Sequence, residues 1–77
     1  MNIYLIDQDV VYGYDTYDSA IVAAESEEEA RNIHPYGNWE NRLDAWCTYP
    51  RDVNVKCIGI AANHITRGVI LASFNAG

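Results

Sequence analysis

The chain has 77 residues, which is room for one domain spanning residues 1–77, and a domain of this size buries only about 60 to 65% of its unfolded surface. Hydrophobic residues make up 49% of the sequence, and this share excludes the intrinsically disordered class. The net charge of -6 disfavours direct binding to DNA or RNA, because nucleic-acid affinity comes mainly from Lys and Arg.

The charges are distributed unevenly along the chain. Residues 1–30 contain eight acidic residues and no Lys or Arg, whereas residues 31–77 contain three acidic and five basic residues. Several tyrosines stand among the early acids. An acidic surface that also carries tyrosines is better suited to docking on a basic partner than to catalysis.

The first 24 residues predict two strands. Residues 3–6 are branched, aromatic or aliphatic, and the strand is expected to end near Asp7, where turn-forming residues begin. The start has no basic segment and its apolar run is short, so we expect neither a signal peptide nor a spanning helix, and we predict a cytoplasmic location. Residues 19–24, with Ile21 and Val22, predict the second strand.

A helix start follows directly. Ser26 is placed to act as N-cap and Glu29 to reach back to the Ser26 N–H, with glutamates at the positive end of the helix dipole. Pro35 disfavours a helical conformation in the residue before it, so the helix is expected to end near His34.

The second half of the chain predicts a further short helix and two strands. Trp39, Leu43 and Trp46 recur at helical spacing behind Asn38, a potential N-cap. Residues 53–57 alternate between apolar and polar, which indicates a strand with one buried face. Residues 68–74 are apolar on both faces, so this strand is expected to be central in the sheet or covered by a neighbour.

These elements predict an α+β fold: a small antiparallel sheet of about four strands, in the order β-β-α-(α)-β-β, with one or two short helices on one face. The sequence leaves the strand order open, because the long segment before the third strand allows either later strand to lie beside the first. An exposed edge strand would also support a homodimer.

The segments 14–31 (YDTYDSAIVAAESEEEAR) and 68–77 (GVILASFNAG), with the pair His34-Pro35 between them, resemble a group of small proteins encoded by bacteriophages and prophages. The resemblance implies a phage origin. Small acidic phage proteins include inhibitors of host defence, among them anti-CRISPR proteins, so the resemblance also implies a protein-binding inhibitor. Family likeness alone does not establish such a function.

The acidic, tyrosine-bearing part of the chain is the candidate partner-binding site. Its carboxylates are suited to imitating nucleic-acid phosphates in an Arg/Lys groove, with tyrosines as anchors. The alternative is that these acids only cap the helix and solvate a turn. The candidate residues are Asp7, Asp9, Tyr12, Tyr14, Asp15, Tyr17, Asp18, Glu25, Glu27 and Glu28.

Metal and catalytic sites are disfavoured by residue spacing. The aspartates between residues 7 and 18 resemble a calcium loop, but Val11 and Tyr12 occupy its ligand and glycine positions. The spacing of the two His and two Cys residues matches no zinc motif. Cys47 and Cys57 are expected to be reduced thiols, with Cys57 on the buried face of its strand. We therefore predict no cofactor, no metal and no enzymatic activity.

The leading hypothesis is a phage-encoded inhibitor that binds a basic surface of a host defence protein, such as a CRISPR effector subunit, and has no membrane or nucleic-acid partner. One alternative is a small homodimeric regulatory or structural module. Another is a binder of a nucleotide signal, which would hold phosphates with Arg31, Arg42, Arg51 and Arg67.

Overall fold

The structure is a computed structural model that describes residues 1–11, 13–37, 39 and 45–75. Its elements in chain order are β1 (Asn2–Asp7), β2 (Thr16–Ala24), α1 (Glu27–Arg31), a 3-10 turn (Pro50–Asp52), β3 (Asn54–Ile60) and β4 (Gly68–Asn75). The strands form one antiparallel sheet in the order β3-β1-β2-β4. The predicted four-stranded antiparallel sheet is confirmed, and the described residues form one short α-helix with it.

The β1–β2 hairpin is the centre of the sheet. Its register runs without a shift from the pair Asn2 and Ala24 to the pair Asp7 and Ser19. β3 then pairs with the free edge of β1, and β4 pairs with the free edge of β2. The strand order that the sequence left open thus places the two later strands on opposite edges.

The sheet buries one face, which we call the inner face. Because side chains alternate along a strand, Tyr4 and Ile6 of β1 point to the same side as Ala20 and Val22 of β2, and all four are buried. Ala30 of α1 packs into this cluster. The opposite, outer face carries Leu5 and Ile21, which remain partly exposed.

The helix begins as predicted but is capped somewhat differently. The Ser26 hydroxyl accepts a hydrogen bond from the Glu29 N–H at 3.1 Å. The Glu29 carboxylate, however, accepts from the N–H of Glu25 at 2.9 Å, and not from that of Ser26. The side chain therefore reaches one residue further back and ties the end of β2 to the first turn.

The helix ends at Arg31, so the prediction that it continues to His34 is wrong. The N–H of Asn32 donates to the carbonyl of Glu29, and that of Ile33 to the carbonyl of Ala30. These bonds span three residues instead of four, which tightens the last turn and stops α-helical propagation. The chain has thus left the helix before the restriction imposed by Pro35 applies.

The region of the predicted second helix falls mostly outside the described residues, since 38 and 40–44 are not among them. Trp46, which follows residues 40–44, is buried at 2% exposure. Trp39, which precedes them, is partly buried against the same core. Trp46 is therefore a core residue. A domain this small needs large aromatic side chains in its core, and Trp46 is one of them.

Three predictions about the later strands are wrong. β3 begins at Asn54 and continues to Ile60, three residues beyond the predicted 53–57. Cys57 is exposed, because β3 is an edge strand and its inner-face positions beyond Val55 are incompletely covered. β4 also lies at an edge rather than at the centre of the sheet.

Replacing Ile6 by Ala tests the inner-face core. Ile6 is completely buried, so the variant should lose about 2 to 5 kcal/mol of unfolding free energy, out of roughly 4 to 12 kcal/mol for a chain of this length. Urea denaturation of the wild type and the variant measures the total free energy of unfolding and the loss. Ile60, which is 84% exposed, is the matched control: Ile60→Ala should change the free energy by less than about 0.5 kcal/mol, and an equal loss in both variants would contradict this core.

Candidate partner-binding surface

The acids of residues 1–30 lie in two groups at opposite ends of β2. Six steps along the chain, from Ser19 (opposite Asp7) to Glu25, separate the nearest members of the two groups by about 20 Å at roughly 3.3 Å per residue, in a molecule whose longest dimension is 34 Å. We call the first group the hairpin end, consisting of Asp7, Asp9, Asp15 and Asp18. We call the second the helix end, consisting of Glu25, Glu27, Glu28 and Glu29.

At the hairpin end, two carboxylates share one amide. The Asn54 side chain at the start of β3 donates to Asp7 at 2.8 Å and to Asp9 at 3.5 Å. Asp18 precedes Ser19, the residue opposite Asp7 in the hairpin. The Asn54 amide therefore holds Asp7 and Asp9 as near neighbours, and strand pairing places Asp18 next to the residue opposite Asp7.

The loop between β1 and β2 is organised by Gln8, which is buried although it is polar. Its side-chain oxygen accepts from the N–H groups of Val10 at 2.9 Å and Val11 at 2.8 Å. Its amide nitrogen donates to the carbonyls of Val11 and Tyr17. One side chain thus satisfies four backbone groups that would otherwise lack partners in the loop.

Sequence reasoning missed the role of Gln8, treating it as part of a turn. The signal was present, because the alternation that buries Tyr4 and Ile6 continues to position 8 and directs its side chain inward. A glutamine at a buried position needs partners for both ends of its amide. The nearby loop backbone supplies them.

The far side of the loop is fixed by hydrogen bonds to Gly13. Its carbonyl accepts from the Thr16 hydroxyl and from the Asn75 amide, each at 2.8 Å. Asp15 adopts a left-handed conformation with φ of 61°, which Asp tolerates better than most residues. Its N–H donates to the carbonyl of Asn75, the last residue of β4.

The candidate tyrosines differ in accessibility. Tyr14 is 76% exposed and lies within the hairpin end. Tyr17 packs partly buried against the core, with its ring 4.8 Å from that of Phe74, so it supports the sheet more than it offers contact area. Tyr12 lies outside the described residues.

The helix end is engaged within the molecule. The Glu29 carboxylate contacts Nε of Arg67 at 2.9 Å, and Glu28 lies 3.9 Å from Nε of Arg31. Exposed ion pairs of this kind contribute roughly 0 to 1 kcal/mol each, but they reduce the charge available to a partner. By contrast, no ion pair among the described residues involves the four aspartates of the hairpin end.

The arginines proposed as phosphate ligands do not converge. Arg31 donates to the carbonyl of Val53, Arg51 lies over the ring of Tyr49, and Arg67 pairs with the helix end. Arg42 lies outside the described residues. Three of the four guanidinium groups therefore each have a different intramolecular contact.

His34 is buried in an aromatic environment. Its Nδ1 accepts from the N–H of Tyr36 at 3.0 Å, and its ring stands edge-on to Trp39 and at a steep angle to Trp46. Desolvation lowers the pKa of His34 below its ordinary 6.5. The side chain is therefore a neutral core residue near pH 7.

The two cysteines differ in environment. Burial, reinforced by the negative charge of Asp52, raises the pKa of the Cys47 thiol to about 11, and the thiol contacts the carbonyl of Tyr49 at 3.5 Å. It stays protonated at neutral pH and is a poor nucleophile.

Within the described part of the chain, no three His, Cys, Asp or Glu side chains are grouped to hold a metal ion.

No helix in the described ranges is long and apolar enough to cross a membrane. Comparisons of the chain with protein-family models, with curated proteins and with solved structures found no match. The resemblance to phage proteins therefore stays a prediction.

Thiol labelling tests the contrast between the cysteines. In native protein at pH 7.5, Cys57 should react with a chromogenic disulfide at the rate of an exposed thiol. Cys47 should react at least about 100-fold more slowly, because it is buried and protonated. Cys57→Ser should abolish the fast phase and Cys47→Ser should leave it unchanged. A fast phase that survives in Cys57→Ser would contradict the described environment of Cys47.

His34 should make the folding stability of the protein fall as the pH decreases. Because burial lowers the pKa of His34 in the folded protein, the unfolded chain binds the proton more readily, and stability falls as the pH drops below about 6.5. Urea denaturation between pH 8 and pH 5 should show this loss. His34→Gln should be less stable at pH 8 but flatter across that range, and an unchanged slope in the variant would contradict the assignment.

Proposed function

We propose that this protein is a non-enzymatic inhibitor that docks its hairpin end onto a cationic surface of another protein. In the phage setting that the sequence suggests, the target is a bacterial defence protein, as for an anti-CRISPR protein. The blocked surface is a groove that otherwise holds nucleic-acid phosphates. The observation that carries the proposal is the group of four aspartates beside exposed Tyr14, with no ion pair from the described residues.

The chemistry of the hairpin end supports a basic partner. Carboxylates accept charge-assisted hydrogen bonds from guanidinium and ammonium groups, as phosphate oxygens do. A single exposed pair contributes only about 0.2 to 1 kcal/mol, so useful affinity requires several pairs and an anchor. Tyr14 offers a large aromatic surface of the kind that is enriched at binding hot spots.

The rigidity of the hairpin end also supports docking. Gln8 and Gly13 fix the two sides of the loop through hydrogen bonds, and strand pairing fixes Asp7 against Ser19. A surface that is already ordered loses less conformational entropy on binding. The helix end has less charge to offer, because Glu28 and Glu29 already have cationic neighbours.

A stoichiometric blocker agrees better with this geometry than a nucleotide binder does. The arginines that would hold phosphates have separate intramolecular contacts. The buried thiol and imidazole are in uncharged forms near neutral pH. We therefore place the functional surface at the hairpin end and infer inhibition by steric and electrostatic blockade.

Charge reversal at the hairpin end tests this function. Tagged protein is used to capture partners from a lysate of the bacterial host, and the captured protein is identified and purified. Asp9→Lys combined with Asp18→Lys should weaken binding to that protein by roughly 10- to 100-fold, since two attractive contacts become repulsive. Titration calorimetry at low and high salt measures the loss, and added nucleic acid should compete with the wild type.

The matched control reverses two charges at the other end of β2. Glu25→Lys combined with Glu27→Lys changes the net charge equally and should reduce affinity less than threefold, because those side chains lie about 20 Å or more from the hairpin end. Thermal unfolding confirms that both variants fold. Equal loss in both would show that net charge alone matters, and no loss in the first would exclude the hairpin end as the docking surface.

A further inference from the structure

β4 has the composition of a central strand but lies at an edge of the sheet. Its eight residues, GVILASFN, contain no charged side chain and no proline, whereas natural edge strands are commonly blunted by such residues. The other edge strand, β3, carries Lys56 near its middle and packs against α1, which also contacts β1 and β2. Each edge strand also has one extra residue at a register shift, Ile58 in β3 and Ile70 in β4. The two edges therefore differ in charge and in cover by α1, and on both counts β4 is the less protected.

The apolar side chains of β4 are exposed on both faces of the sheet. Val69 lies opposite Val22 of the inner face and is 41% exposed, while Leu71 lies opposite Ile21 of the outer face and is 65% exposed. A protein stacked on one face would cover only one of these side chains. A further strand placed alongside β4 would cover part of both, because its own side chains alternate between the two faces.

We propose that β4 pairs with β4 of a second copy of this chain, antiparallel and about a two-fold axis near Leu71, so that two four-stranded sheets form one sheet of eight strands. The axis places Leu71 against its own equivalent. Neither strand brings a charge to the pairing, so no like charges are opposed. In the dimer β4 becomes central, which is the position that its sequence predicts.

The charges at the ends of β4 fit this arrangement. Arg67 directly precedes the strand, and Asp15 lies beside its last residue, to whose carbonyl its N–H donates. Antiparallel pairing brings the start of one strand alongside the end of the other. Arg67 of each copy then lies opposite Asn75 of the other, with Asp15 one strand further, on the β2 side of Asn75. We expect the long Arg67 side chain to span this distance, and the contact occurs twice. Arg67 contacts Glu29 through Nε, and the other guanidinium nitrogens remain available as donors.

The outer face provides a further contact. A shallow depression of about 330 Å³ lies beside β4, with the cross-strand pair Ser19 and Ser73 between larger side chains. Leu71 is one of the residues that line it. The Leu71 side chain of a second copy, brought to the two-fold axis, would add apolar surface beside this depression, so pairing would bury outer-face side chains as well as the backbone of the edge.

Sedimentation velocity on the purified chain tests the proposal. An interface formed by one edge strand from each copy is small and therefore weak, so the dissociation constant should be on the order of 10 µM. The mass should rise from one chain to two as the protein concentration increases from about 1 to 500 µM. A single-chain mass throughout that range would overturn the proposal. Species larger than two would also overturn it, because a two-fold interface is closed.

Paired variants locate the interface. Leu71→Lys should remain a single chain at the highest concentration, whereas Ile60→Lys, the same change on the opposite edge, should dimerise like the wild type. Circular dichroism confirms that both are folded. Should Leu71→Lys lose the fold, Ser73→Lys serves as the second variant at this edge. Dimerisation of a folded Leu71→Lys or Ser73→Lys chain, or its loss in Ile60→Lys, would overturn the proposal.

Two further measurements distinguish edge pairing from face stacking. Amide hydrogens of β4 that point away from β2 should exchange at least about tenfold more slowly in the dimer than in the dilute chain. Asp15→Asn and Arg67→Gln should each raise the dissociation constant severalfold, and the double variant should do no more than either alone. Unchanged exchange in a dimer, or fully additive effects, would overturn this pairing. The lysate experiment on the hairpin end is independent, because it uses Asp9 and Asp18.

Discussion

The pairing of β1 with β2 is the constraint on which the rest of the molecule depends. Its register has no shift from Asn2 to Asp7, and each later strand pairs with one of its two edges. The same register determines which side chains share the inner face. It also determines that Asp7 and the start of β2 lie together at one end. Core and candidate binding surface are thus consequences of one hairpin.

The short helix depends on that hairpin in turn. Five residues cannot form a stable helix in water without packing, and α1 is held by Ala30 in the core and by the Glu29 carboxylate, which is bound to the end of β2 and to Arg67. The glutamates that gave the sequence much of its early negative charge therefore secure the helix. The aspartates at the other end of β2 take part in no ion pair among the described residues, and this difference decides which group is proposed to meet a partner.

The sequence predicted the local features best. The first strand ending near Asp7, the N-cap at Ser26 and the strand near Val55 each depend on neighbouring residues, and the structure has each of them. The predictions that failed depend on distant contacts. Nothing near Cys57 in the sequence reveals that its strand lies at an edge, and the end of the helix at Arg31 follows from a tightened last turn and not from Pro35.

The candidate site was predictable in composition but not in layout. The early acids are evident from a count of charges. Their division into two groups along β2, and the ion pairs of Glu28 and Glu29, depend on the strand pairing and on the position of Arg67. Similarly, alternation along β1 predicts that the Gln8 side chain points to the inner face of the sheet. Its four backbone partners follow from how the loop returns to Tyr17.

The buried amide of Gln8 has an evolutionary consequence. Because a glutamine side chain does not titrate, the shape of the loop that it holds is independent of the ionisation of the surrounding carboxylates. Under the proposed function, substitutions among the exposed aspartates would alter recognition without disturbing the scaffold. These positions could then vary during evolution while Gln8 keeps the loop in place.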